Sequence, residues 1–197
     1  MFGTGDMAWA HALAVDNVRD IDELHLYSID PLEKKEKFQE SLLEILDSEC
    51  EIILSDDPEE AVRGADIVTL ITSAKDPIVN GDWFKPGTHI NGVGSHAPTM
   101  RELDTKIVQI SKVVCDLVDA CATEAGDFII PVEAGEYHWD DIHGSLGDVV
   151  TKKIEGRENK DEITLFKSVG LAIQDISIAF HVYNKALEMD VGIDFVF

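Results

Sequence analysis

The chain has 197 residues, 45% of them hydrophobic, which is enough to bury one sizeable core, so a single domain is expected. Its 39 Asp and Glu against 16 Lys and Arg give a formal charge of −23, which repels phosphate backbones and anionic membrane surfaces and argues against nucleic acid as a partner. Cys50, Cys115 and Cys121 cannot all pair and none stands in a CxxC or Cys/His spacing, a usage that fits a reducing cytoplasm and no metal site.

No run approaches the roughly 20 apolar residues of a membrane span, and no basic-then-apolar leader opens the chain, so a cytoplasmic protein is expected. The first residues, MFGTGDMAWAHALA, carry Gly3, Gly5 and Ala8 as GxGxxA. In a dinucleotide fingerprint the first Gly permits a tight turn, the second lets a pyrophosphate approach the backbone, and the third small residue lets helix and strand pack closely. By itself the pattern is weak, and a purely structural use of the small residues stands beside it. The strand that should precede the turn is the central one of such a sheet, and only Met1 and Phe2 are present, so the chain reads as truncated.

Downstream, MAWAHALAVDNV sets Ala8, His11, Ala12 and Val15 on one helical face. ELHLYSI is a β-prone run ending at a DP turn. PLEKKEKFQESLLEILDS predicts a helix with Pro31 at its first position and a stripe of Leu32, Phe38, Leu42, Leu43 and Leu46. CEIILS is a strand, and DPEEAVRG a short helix capped by Asp57 and stopped at Gly64. ADIVTLIT, GTHINGVG, KVVCDLV and EITLFKSVG are apolar runs of the kind covered on both faces, and LAIQDISIAFHVYNKALEM is a long amphipathic helix. The segment from Phe128 to Glu162 interrupts this alternation with loops and one short helix and is expected outside the sheet. The alternation argues for a Rossmann-type, doubly wound α/β fold with a mostly parallel sheet, forming one domain over residues 1–197.

The strand after the first helix ends near the position where the fingerprint expects an acid on the ribose, about twenty residues on. Ser28 stands at that end and Asp30 two residues later. An acid there holds the ribose hydroxyls of NAD, whereas a Ser with basic neighbours tolerates the phosphate of NADP. NAD is favoured over NADP, because Asp30 would repel a phosphate.

Taken together, FGTGDMAWAHALA, GADIVTLITSAKDPIVNGDWFKPGTHINGVGSHAPTMRELD, EAGDFIIP, IHGSLGDVV and GRENKDEITLFKSVGLAIQD resemble the ornithine cyclodeaminase and mu-crystallin family over nearly the whole chain. The resemblance implies NAD(P)-dependent chemistry on a small amino or imino acid. The family includes ornithine cyclodeaminases, an alanine dehydrogenase, reductases of cyclic imino acids, and mu-crystallin, a ketimine reductase that also binds thyroid hormone. It further implies a substrate-binding, dimer-forming domain built mostly from residues before the glycine turn, which this sequence lacks, and a homodimer for the full-length form.

Carried over by position, the resemblance assigns Gly3, Gly5, Asp6 and Met7 to the pyrophosphate turn, Ser28 to the ribose, and Thr72 to a contact at a strand end. Asn91, Gly92, Val93 and Gly94 fall to the loop beside the nicotinamide, with Ser168 and Gly170 on its other side. The position of the cyclodeaminases' catalytic Asp holds His96 here, and Met100 stands where those enzymes have Lys. An imine reductase or amino-acid dehydrogenase is therefore favoured over a cyclodeaminase proper. A histidine titrates near neutrality and suits proton transfer to an amino or imino nitrogen, so His96 is the candidate catalytic residue, against the alternative of a loop histidine that bonds a neighbour.

Ser168 also fits a cap on the following helix, His11 and His143 fit structural roles, and Cys115 reads as a small buried hydrophobe. Asp140, Asp141 and His143 are adjacent in sequence without making one coordination sphere. Two other readings remain open: a non-catalytic binding protein in the manner of mu-crystallin, and a truncated product without a stable fold.

Overall fold

In the computed structural model, which describes residues 1–46, 50–193 and 195, the apolar runs become short strands and all strand pairings are parallel. The chain runs α1 (Asp6–Asp16), β1 (Glu23–Tyr27), α2 (Leu32–Leu43), β2 (Glu51–Ser55), α3 (Pro58–Val62), β3 (Ile67–Leu70) and β4 (His89–Gly92). It continues with α4 (Thr105–Ile110), β5 (Lys112–Cys115), α5 (Val118–Glu124), α6 (Gly126–Glu133), β6 (Gly144–Ser145), α7 (Leu146–Val150), β7 (Thr164–Lys167) and α8 (Ala172–Glu188). Strand β2 pairs with β1, and the others lie in the order β3-β4-β7-β5-β6.

Phe2 joins the two groups. It bridges Tyr27 of β1 and Leu70 of β3, donating its N–H to the Thr69 carbonyl at 2.8 Å and accepting from the Ile71 N–H at 3.1 Å. The Gly3 N–H bonds the Tyr27 carbonyl at 2.9 Å, and the Tyr27 N–H returns to the Met1 carbonyl at 2.9 Å. The residues ahead of the glycine turn thus make a single rung between the ends of β1 and β3. Phe2 is fully buried, tilted against the Tyr27 ring at 5.2 Å between centroids, in one core with Leu70, Ile90, Val113, Leu165 and Phe128. Burial of a side chain of that size stabilises by about 2–3 kcal/mol. A second cluster, including Ala8, Ala12, Leu26, Phe38 and Leu42, holds α1 and α2 against β1 and β2.

Ala8 is fully buried, as close packing of the fingerprint helix requires. Asp57 caps α3 by accepting from the Glu59 N–H at 2.9 Å, and Gly64 stops it at φ +83°. Several expectations need correction. Helix α2 ends at Leu43, with Pro31 one residue ahead of its start, and the Asp47–Ser48 end of the expected helix lies outside the described residues. Its buried face is Lys35, Phe38 and Leu42, while Leu32 and Leu43 are exposed. Strand β5 stops at Cys115, and Val118 already begins α5. The segment from Phe128 to Glu162 is not wholly outside the sheet, because β6 pairs Gly144 and Ser145 with Val114 and Cys115. Helix α8 buries none of its residues, so its stripe of Ile173, Ile176, Phe180, Tyr183 and Leu187 is exposed.

A cavity of about 1200 Å³ opens beneath Met1, where β1 and β3 are not joined, and extends across the sheet past His89 and Thr164. Glu23, Ile67, His89, Lys112 and Thr164, the first residues of strands β1, β3, β4, β5 and β7, line or border it. It therefore lies toward the amino ends of the strands, whereas open α/β sheets bind ligands at the carboxyl ends.

Candidate cofactor and hydride-transfer site

At the carboxyl end of the central rung, Gly3 adopts φ +114°, and a Cβ there would come within 2.6 Å of the Ile71 carbonyl oxygen. Only glycine makes that turn. Gly5 precedes α1 in extended backbone, and a Cβ on it would meet nothing within 4 Å. The first bond inside the helix runs from the Trp9 N–H to the Gly5 carbonyl at 3.2 Å, which leaves the N–H groups of Asp6, Met7 and Ala8 without an acceptor in the helix. An open approach, free N–H donors and the positive end of an eleven-residue helix fit a pyrophosphate.

At the end of β1, Thr4, Ser28 and Asp30 form one cluster. Thr4 Oγ1 donates to Asp30 Oδ2, Ser28 Oγ donates to the same oxygen at 3.0 Å, and Lys34 Nζ reaches it at 2.9 Å. Chiefly through the Thr4 bond and then the Lys34 bond, the Asp30 carboxyl is held down at about 2. Among the described residues, all three side-chain partners fall on Oδ2, so Oδ1 stays open as an acceptor. Lys34 and Lys35 both lie on α2, and Lys35 turns away to Asp56 at 3.2 Å.

The other predicted positions meet where β3, β4 and β7 end. Thr72 follows β3, Gly94 follows β4, and both bond Glu102: the Thr72 N–H at 2.6 Å, its hydroxyl at 2.8 Å and the Gly94 N–H at 2.7 Å. A Cβ on Gly94 would collide with Thr72 backbone atoms and with Glu102, so this glycine is set by crowding. The Ser168 N–H bonds the Gly92 carbonyl at 3.1 Å, which ties the turn after β7 to the end of β4. His96 is exposed, and its Nδ1 lies 2.8 Å from the Gly94 carbonyl. A carbonyl only accepts, so Nδ1 carries the hydrogen and Nε2 is the atom free for chemistry.

Three positions behave differently from their sequence reading. Asn91 and Gly92 lie within β4 rather than in the loop after it, and the Asn91 side chain joins His89 Nε2 at 3.2 Å and Thr69 Oγ1 at 3.3 Å on the sheet face lining the large cavity. Alternation along the strand sends it opposite to buried Ile90. Ser168 does not cap α8, whose first turn is preceded by Leu171; its hydroxyl donates to Asp116 Oδ2 at 3.0 Å.

Asp116 and Glu102 carry the site's architecture without having been singled out in the sequence. Asp116 Oδ2 also accepts the N–H groups of Val169 at 2.9 Å and Gly170 at 3.0 Å, holding the whole turn after β7, and Gly170 sits there at φ +89°. The only available signal was the acid's place directly after an apolar strand. His143 is structural, its Nε2 donating to the Glu155 carbonyl at 2.7 Å, and half-buried His11 faces the large cavity, with its pKa pushed down by burial. Cys115 is fully buried and unpaired, as expected of a small hydrophobe.

A glycine turn feeding a helix, an acid at the end of the next strand and glycine-bearing turns after β4 and β7 define a dinucleotide-binding α/β fold. The chain belongs to the ornithine cyclodeaminase/mu-crystallin family, whose model matches residues 1–190. It is 39% identical over 193 residues to a Delta(1)-pyrroline-2-carboxylate reductase of Bacillus cereus, covering 98% of this chain and 58% of that one. An alanine dehydrogenase of Archaeoglobus fulgidus is 34% identical over 193 residues, covering 96% of this chain and 57% of the relative. The solved structure of Thermococcus litoralis Delta(1)-pyrroline-2-carboxylate reductase with NADH and L-proline superposes with a TM-score of 0.91 at 41% identity, covering 98% of this chain and 59% of the other. The chain thus spans somewhat less than three fifths of the length of these relatives. Among the described residues, no helix is long and apolar enough to cross a membrane.

Proposed function

We propose that the protein is an NAD-dependent oxidoreductase that transfers hydride to the α-carbon of a small imino acid, as a reductase of a cyclic imine such as Delta(1)-pyrroline-2-carboxylate. One observation carries the reading: the glycine turn, the Thr72 and Gly94 loops and the Ser168–Gly170 turn are joined at one end of the sheet, through Ile71, Glu102 and Gly92. The Bacillus and Thermococcus relatives, both named as reductases of this imine, support it.

In this reading the N–H groups of Asp6 and Met7 hold the pyrophosphate, and Asp30 Oδ1 accepts from the ribose and rejects a 2′-phosphate, which favours NAD over NADP. Reduced nicotinamide, when bound, supplies the hydride. The chain's own part is to hold the acceptor carbon beside it and to handle one proton. Imidazolium His96 donates the Nε2 proton to the imine nitrogen as the C=N bond becomes C–N, and neutral His96 takes it back in the oxidative direction. A few ångströms of misplacement would cost orders of magnitude in rate, which is why the loops are tied rather than loose.

A separate substrate-binding domain, homodimerisation and a cytoplasmic location belong to the same proposal, and the groups that grip the substrate carboxylate are assigned to that domain. The test is to follow NADH oxidation by the protein expressed from its complete gene, with Delta(1)-pyrroline-2-carboxylate and with pyruvate plus ammonia. Turnover on the cyclic imine supports the reading. NADH binding without turnover on either substrate favours a binding protein, and ammonia release from ornithine favours a cyclodeaminase.

A further inference from the structure

Three fully buried charged side chains lie beneath the strand ends: Glu102, Asp127 and Lys167. Lys167 Nζ stands 2.9 Å from Asp127 Oδ2, and Asp127 Oδ1 accepts the backbone N–H groups of Glu102 at 2.8 Å and Leu103 at 2.9 Å. Buried charge is expensive, and breaking such a set strands the remaining partner. A core that serves only stability is well built from apolar side chains, so the placement calls for a use.

Glu102 supplies it. Its two carboxylate oxygens take four donors from two loops. Oε1 accepts the N–H and hydroxyl of Thr72 at 2.6 and 2.8 Å, and Oε2 accepts the N–H groups of Gly94 and Ser95 at 2.7 and 3.2 Å. Three of these partners are backbone N–H groups, which only donate, and each oxygen faces at least one of them, so a carboxylate accepts all four whereas an amide would point a hydrogen at a backbone N–H. Burial, with a smaller push from the Asp127 carboxylate, moves the Glu102 carboxyl upward, and the two bonds from Thr72 and then the nearby Lys167 hold that rise back only in part. The loop held on the Oε2 side carries the Gly94 carbonyl that fixes the His96 ring.

We propose that Glu102 is a positioning residue for hydride transfer: its carboxylate, on a backbone whose N–H groups Asp127 holds, clamps the loop after β3 to the loop after β4 and thereby sets where the nicotinamide ring and His96 Nε2 stand. It rests on the oxidoreductase reading but makes its own claim, about a residue that touches neither coenzyme nor substrate. The adenosine half of the coenzyme, held at Gly3–Met7 and Asp30, is independent of the clamp.

The test uses Glu102→Gln, which keeps size and replaces one acceptor with a donor, in the protein expressed from its complete gene. The expected result is a fall in kcat of about 100-fold, with KM for NADH within about threefold of wild type. The emission of bound NADH, which reads the surroundings of its nicotinamide ring without turnover, should move toward that of free NADH. A folded variant with unchanged kcat and unchanged emission would overturn the proposal. Thr72→Val, which removes one of the four donors and keeps the carboxylate, is the second variant: it should shift kcat and emission in the same direction by a smaller factor, and no shift counts against the clamp even if Glu102→Gln fails to fold. Wild-type protein that binds NADH but reduces no imine would overturn the reaction reading and leave the emission spectra to decide the clamp.

Discussion

The amino group of Met1 is enclosed between two strands and donates to the His25 carbonyl at 2.6 Å. Burial lowers its pKa from 8.0 to about 5. In a polypeptide that begins at Met1, the unfolded chain therefore binds a proton between pH 8 and pH 5 that the folded chain refuses, so stability is complete above pH 8 and falls as pH drops through that window. Each pH unit is worth about 1.4 kcal/mol, so the whole window holds about 4 kcal/mol, an upper figure because the cavity beside Met1 admits water. His11 and His89, also lowered by burial, bend the curve the same way at lower pH and must be subtracted. Urea unfolding at pH 8, 7 and 6 would be compared for the free and the N-terminally acetylated polypeptide, since acetylation removes the charge and keeps an N–H for His25. The free form should lose about 2–3 kcal/mol more than the acetylated form between pH 8 and 6. Identical slopes would show that this amine is hydrated in the fold and refute the burial argument.

His96→Ala should lower the rate of imine reduction by about 10²–10⁴-fold while leaving NADH affinity, measured by fluorescence titration, unchanged. Unaltered turnover would remove His96 from the chemistry. Replacing Asp30 with Ala should move the ratio of kcat/KM for NADPH over NADH upward by about tenfold or more, because a negative charge is removed from the place a 2′-phosphate would occupy. Gly5→Ala and Gly94→Ala should separate ligand space from protein space. The first has room in the fold and should keep its melting temperature while weakening NADH binding; the second meets Thr72 and Glu102 and should cost about 1–3 kcal/mol of stability in urea titration.

Much of the fold was legible because its signals are local. The apolar runs around Leu26, Ile52, Val68, Ile90, Val113 and Leu165 each became a strand, and the conformational demand on Gly3 and the Asp57–Gly64 boundaries of α3 can be argued from a few neighbouring residues. Strand β6 was not legible, since two residues carry no period. The hubs were not legible for a different reason. Glu102 reaches Thr72 across 30 positions and Asp116 reaches Ser168 across 52, and an acid held by backbone N–H groups looks in sequence like any other acid in so acidic a chain. Asn91 shares a sequence motif with the loop after β4 but belongs to the strand, as its alternation with buried Ile90 requires.

Strand β7 lies between β4 and β5, yet it follows both in the chain and is the last of the described strands. Until Lys167 has left the ribosome, β4 and β5 each present an unpaired edge with nothing local to fill the gap, and closure joins residues as far apart as His89 and Thr164. Such late, long-range closure is slow, and open parallel edges invite pairing with neighbouring nascent chains. The order of synthesis thus makes the step that completes the sheet the same step that brings the Ser168–Gly170 turn to the other strand ends, so a chain that stalls short of it is both sticky and without a finished site.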